Sequence, residues 1–203
     1  RTPIRAALQR LELEGLLEAL PGGGYKVRQF HESDIEDAIE VRATREGLAA
    51  RLAAERGVSP TTLTRARELL VCIDAILSEP TLDEERLSLY LTRNEELHAL
   101  IAEMSGSLVV REQLERITSL PFAAPGSFLR TQSSAAQAHM ALMMAHDQHH
   151  AVIDAISRRE GARAEALMRE HARRTRTLMV RAVQNRTSSL VPGGRLIRRR
   201  TTI

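Results

Sequence analysis

Arg1-Thr2-Pro3-Ile4-Arg5-Ala6-Ala7-Leu8-Gln9-Arg10-Leu11-Glu12-Leu13-Glu14-Gly15-Leu16 opens the chain. Its spacing predicts a short helix over residues 2–14. Thr2 suits the N-cap, and Pro3 stands at the first helical position, where a missing N–H costs nothing. Ile4, Leu8 and Leu11 recur at helical spacing on one face, with Arg5, Gln9 and Glu12 opposite. Gly15 is placed to end the helix. Beyond it, two apolar-polar stretches flank Pro21-Gly22-Gly23-Gly24, and the second runs Tyr25-Lys26-Val27-Arg28-Gln29-Phe30. That is the pattern of a β-hairpin around a glycine turn.

A helix followed at once by a two-stranded wing is the second half of a winged helix-turn-helix. In that geometry the helix enters the major groove and the wing lies along the backbone or minor groove. Arg1, Thr2 and Arg5 sit at the helix N-terminus. There a hydroxyl and free amides suit a phosphate, and an arginine can reach guanine O6 and N7. Gly23 and Gly24 let the backbone of the wing approach a phosphate closely. A short amphipathic helix with a hairpin also occurs in many other folds, so the pattern alone leaves both readings open.

Outward from this segment the pattern is helical. Ser33 is the expected cap of a helix reaching residue 56, with Glu36 closing a capping box. Further helices are expected over 61–77, 84–104, 108–119, 133–158 and 161–185, with a structured Pro- and Phe-bearing loop at 120–132. Hydrophobic residues make up 43% of the chain and aromatic residues 2%, with no Trp. A core of Leu, Ala, Ile, Val and Met favours packed helices over β-sandwiches. The expected fold is therefore mainly α: a partial winged helix-turn-helix at 1–30, then an antiparallel bundle of six or seven helices at 33–185. A basic disordered tail is expected at 186–203. It carries five arginines and no acid, so the rest of a chain of net charge +3 is net acidic. Charge placement, not overall charge, is therefore the argument for nucleic acid. One cysteine, Cys72, excludes an internal disulfide and fits a cytoplasmic protein. No apolar run approaches a membrane span, and the N-terminus is no signal peptide.

Seven histidines are present, and three of them fall on the inward faces of three different helices. His98 shares a face with Asn94, Leu97, Ile101 and Met104. His149 shares one with Val152, Ile153 and Ile156, and His171 one with Ala164, Leu167, Thr175 and Leu178. Three imidazoles so placed could converge on one first-row metal. A single inward histidine is more often a hydrogen-bonded core residue, and His139 and His146 also lie on an apolar face. Arg42 shares a face with Ile35, Ala38, Ile39, Ala49 and Ala53, and a buried guanidinium needs a partner. That partner is either Glu46, four residues on, or the carboxylate of a ligand. Arg130 and Gln132 in the Phe-bearing loop could face the same space.

The opening stretch closely resembles the recognition helix of the GntR family of bacterial transcription regulators. Asn94-Glu95-Glu96-Leu97-His98-Ala99-Leu100-Ile101 followed by Ser105-Gly106-Ser107 resembles the signature of the FCD sensor domain, the usual partner in the FadR-like subgroup. Gln148-His149-His150-Ala151-Val152-Ile153-Asp154-Ala155-Ile156 and Met168-Arg169-Glu170-His171 are similar to two further FCD segments. The resemblance implies a homodimeric regulator that binds operator DNA through Arg1, Thr2, Arg5 and Gly23 or Gly24. It implies a divalent metal ion (zinc ahead of nickel or manganese) on Asn94, His98, His149 and His171. It also implies a small carboxylate effector gripped by Arg42. Many FCD domains carry Asp where Asn94 stands; a neutral amide binds a metal more weakly and leaves the site more cationic. The two helices that precede the recognition helix in the family are not in this sequence, which enters the motif part-way. Two other functions are weighed against this one: a metal-dependent enzyme acting on a small carboxylate, and a helical dimerisation module without metal.

Overall fold

The computed structural model describes residues 2–79, 82–129, 135–184 and 194–198. Helix α1 (Thr2–Leu13) leads through Gly15 into strands β1 (Leu17–Ala19) and β2 (Tyr25–Val27). These pair antiparallel, with Leu17 opposite Val27 and Ala19 opposite Tyr25. The turn between them holds Gly23 at φ 89° and Gly24 at φ 88°, the left-handed region that L side chains rarely adopt. Helix α1 packs on β1.

Six helices follow: α2 (Glu32–Arg56), α3 (Pro60–Leu77), α4 (Glu84–Met104), α5 (Leu108–Thr118), α6 (Ala135–Ser157) and α7 (Gly161–Gln184). Their starts are written in capping residues. The amide of Thr62 donates to the Ser59 hydroxyl at 3.1 Å, with Pro60 at the first helical position; the amide of Arg86 donates to Asp83 at 2.8 Å. The amide of Val110 donates to Ser107 in the same way.

Helix α2 is central, and α7 lies closest to it. The approach is possible because α2 is small where they meet. A Cβ on Gly47 would stand 2.4 Å from Arg169 Cγ and 3.1 Å from the backbone oxygen of Glu165. Ala43, Ala50 and Ala54 on α2 are fully buried. Helix α3 packs on α4 and α6, and α5 on α2 and α4. The main core joins Leu70, Ile73, Leu97, Leu100, Ile101, Val152 and Ile156; burying each such side chain stabilises the fold by about 1.5–3 kcal/mol. A second cluster gathers Phe30, Ile35, Phe122, Phe128 and Met179. Among the described residues no helix is long and apolar enough to cross a membrane.

The mainly helical fold agrees with the expectation, and two details correct it. Helix α2 begins at Glu32 with His31 as its cap, not with Ser33, because the Asp34 carboxylate accepts from the His31 amide at 2.7 Å. Ser33 is exposed and Glu36 closes no box; its carboxylate accepts from Arg176 instead. Nor is the tail wholly irregular. A 3₁₀ turn (Gly194–Leu196) leads into β4 (Ile197–Arg198), which pairs parallel with β3 (Phe30–His31), Phe30 opposite Ile197. Leu196 and Ile197 pack against the Phe30 cluster, which gives this short tract an apolar surface to settle on. The remaining tail residues lie outside the described residues.

Candidate metal centre and anion cavity

Three helices bring His98 (α4), His149 (α6) and His171 (α7) to one point between them. Their Nε2 atoms are 3.4 Å apart for His98 and His149, 3.1 Å for His149 and His171, and 3.2 Å for His98 and His171. All three rings are buried, His149 completely. Such spacings are the edges of a coordination polyhedron whose metal–nitrogen bonds are about 2.0–2.1 Å long. Neutral imidazoles each offer one lone pair and one N–H, so the cluster's chemistry depends on where the protons sit.

The surroundings fix one of those protons. Glu46 on α2 lies 2.8 Å from His98 Nδ1 and accepts its N–H, leaving the His98 Nε2 lone pair pointing into the cluster. Burial opposes ionisation of Glu46, but Arg42 and His98 outweigh it and hold the carboxyl at about 2. On the other side, the Asp74 carboxylate accepts from His146 Nε2 at 2.9 Å. His146 Nδ1 lies 3.4 Å from His149 Nδ1. Burial, with the neighbouring His171, pushes His149 well below the ordinary imidazole range. Burial, with His98 beside it, takes His171 down from 6.5 to about 3. His149 and His171 are thus neutral, the state in which an imidazole can bind a divalent cation.

His171 also lines a cavity of about 500 Å³, together with Arg42, Asn94, Arg174 and Thr175. Arg42 is 1% exposed. Its Nη2 donates to the Thr175 hydroxyl at 2.7 Å and to the Ala172 carbonyl at 3.3 Å, and its Nη1 stands 3.8 Å from Glu46. Arg42 Nε, Glu46 Oε2 and His171 Nδ1 are buried without a hydrogen-bond partner among the described residues. Arg181 adds a further cation to the lining and Glu170 an acid. Asn94 is buried and accepts from the Tyr90 hydroxyl at 3.5 Å.

The structure therefore groups His98, His149 and His171, and sets Arg42 and Asn94 on the adjoining cavity. Helical periodicity marked Glu46 only as a partner for Arg42; its bond to His98 crosses 52 residues of sequence and has no local signal. His146 was indistinguishable from a core histidine such as His139, whose Nε2 meets the Leu77 carbonyl at 2.9 Å. Arg174 and Arg181 were missed as well, although Arg174 stands one turn after His171 and Arg181 two turns beyond Arg174 on α7. Arg130 lies outside the described residues.

Comparison with known proteins identifies what carries this site. The FCD domain family matches residues 37–174. The chain is 31% identical over 172 residues to the HTH-type transcriptional repressor GlaR of Escherichia coli (strain K12), spanning 83% of this chain and 74% of that protein. It belongs to the FCD-domain regulators of the GntR family. Solved structures with the same fold include E. coli McbR/YncC, at TM-score 0.68 and 18% identity over 90% of this chain and 81% of that one. Streptococcus agalactiae GntR aligns at TM-score 0.51 and 18% identity over 87% of this chain and 81% of the other.

In this GntR-type transcription regulator the helix read as DNA-contacting is α1. Arg5 is exposed, as are Gly23 and Gly24 in the β1–β2 turn, where a Cβ on either glycine would meet open space. Arg1 lies outside the described residues, as does the side chain of Thr2.

Proposed function

We propose that this regulator is a sensor of small organic acids. A divalent metal ion, zinc ahead of nickel or manganese, is held by His98, His149 and His171, with Asn94 as a fourth donor. The three Nε2 atoms, 3.1–3.4 Å apart with the His98 lone pair held inward by Glu46, carry this reading. Bound there, the metal supplies a Lewis-acidic partner for a carboxylate oxygen. Arg42 supplies the second anchor: its unpartnered Nε and its position on the cavity lining suit an acid group at the far end of the same ligand. Arg174 and Arg181 bias the cavity further toward anions.

The effector then changes operator binding by Arg1, Thr2, Arg5 and the Gly23–Gly24 wing in a cytoplasmic homodimer. It does so only to the extent that it binds the DNA-competent and DNA-incompetent states unequally. That the relatives are transcription regulators supports a sensor over a catalyst.

Elemental analysis of the purified protein beside a His149→Ala variant tests the metal. One ion per chain, lost in the variant, is the expected result. No ion after incubation with zinc, nickel and manganese overturns the metal-dependent reading and leaves Arg42 as the anion anchor.

A further inference from the structure

A second group of metal-ligating side chains lies outside the buried cluster, between α3 and α6. His146 and His150 are one helical turn apart, so their rings stand on the same side of α6, with centroids 4.7 Å apart. Asp74 reaches both from α3. Its Oδ1 is 2.9 Å from His146 Nε2 and 3.1 Å from His150 Nε2. The three donor atoms all lie within 4.8 Å of one another. Exposure is graded across the group: the His146 side chain is 5% exposed, that of His150 45% and that of Asp74 50%.

We propose that Asp74, His146 and His150 form a second divalent-metal site, facing solvent and separate from the His98–His149–His171 cluster. Two imidazoles and a carboxylate suit zinc, nickel or copper, and bonds of about 2.0–2.2 Å to such an ion put its ligands about 3 Å apart, as Asp74 stands from both rings. The helix fixes the two imidazoles relative to each other, and packing holds His146. An ion therefore has little side-chain freedom to remove beyond that of His150 and Asp74. The solvent side leaves coordination positions open for water. In the competing arrangement one carboxylate oxygen accepts from two N–H groups and no ion is bound. The outer group is one imidazole pair from the inner one, His146 Nδ1 lying 3.4 Å from His149 Nδ1, so the two sites must be counted separately.

Equilibrium dialysis of the whole chain against buffered zinc, with elemental analysis, makes that count. Wild type, His150→Ala, Asp74→Asn and His171→Ala are compared, with circular dichroism to check each fold. His150 and Asp74 are half-exposed, so their replacement leaves the core in place. Two ions per wild-type chain are expected, falling to one in His150→Ala and in Asp74→Asn, while His171→Ala keeps the outer ion. A zinc count unchanged by His150→Ala and Asp74→Asn overturns the outer site, whatever the buried cluster does. A single wild-type ion that is lost in His150→Ala but kept in His171→Ala supports the outer site and overturns the inner one. No ion in the wild type overturns both.

Discussion

The helical bundle and the N-terminal segment use the same residue types in opposite ways. In the bundle, Leu97 is 0% and Arg42 1% exposed. In the segment, Leu13 is 78% and Ile4 67% exposed, and Arg5 is on the surface. Burial gives the bundle its chemistry: low polarity keeps His149 and His171 neutral, and it makes the Arg42–Glu46–His98 contacts count. The segment does the reverse. In the proposed function its arginines stay hydrated until a polyanion displaces the water, and its turn glycines leave backbone within reach of a phosphate. On that proposal one region encloses a small ligand and the other lies on a large one.

The largest effect on this contrast comes from Arg42→Met. It leaves Glu46 buried beside His98 without its guanidinium, and breaking a buried pair from one side costs about 3–5 kcal/mol. Urea unfolding of the metal-free protein measures this; a loss below about 1 kcal/mol shows that Glu46 does not depend on Arg42. Next, Leu97→Ala in the core lowers stability by about 2–5 kcal/mol, whereas Leu13→Ala stays within about 0.5 kcal/mol in the same assay. Equal costs erase the distinction between the two regions.

Glu46→Gln keeps an acceptor for His98 but removes the charge. Zinc affinity at the buried cluster should fall by roughly 10–100-fold with the fold retained, which chelator competition reads directly. Acid gives the smallest and most gradual change. His171 is held at about 3 against 6.5 when unfolded, so the unfolded chain takes up its proton first. Stability of the metal-free protein is therefore lost as pH falls from 6.5 toward 3. Glu46, lowered from 4.5 to about 2, loses its contribution in the same direction below pH 4.5. Saturating zinc should move the acid midpoint lower, because metal and protons compete for the same nitrogens. A midpoint that zinc leaves in place argues against binding at these imidazoles.

Much of the fold was legible because its signals are local. Ser59-Pro60, Asp83 and Ser107 mark helix starts through bonds that span three residues, and the apolar rows of α4 and α6 repeat at helical spacing. The start of α2 was misread where two acid-rich caps compete, Asp34 on His31 winning over Glu36 on Ser33. The pairing of Ile197 with Phe30 joins opposite ends of the chain, and no local pattern announces it. The candidate site divides along the same line. Periodicity indicates which side of a helix His98, His149 and His171 occupy, but it says nothing of partners. The contacts Glu46–His98 and Asp74–His146–His149 depend on how helices cross, and they decide which nitrogens carry protons.

Calorimetric titration of small mono- and dicarboxylates into zinc-loaded protein, repeated after chelation and in Arg42→Met, tests the central claim most directly. One-site binding of at least one acid, lost on chelation and weakened at least tenfold by Arg42→Met, is the expected result. Binding that survives both treatments unchanged would contradict it.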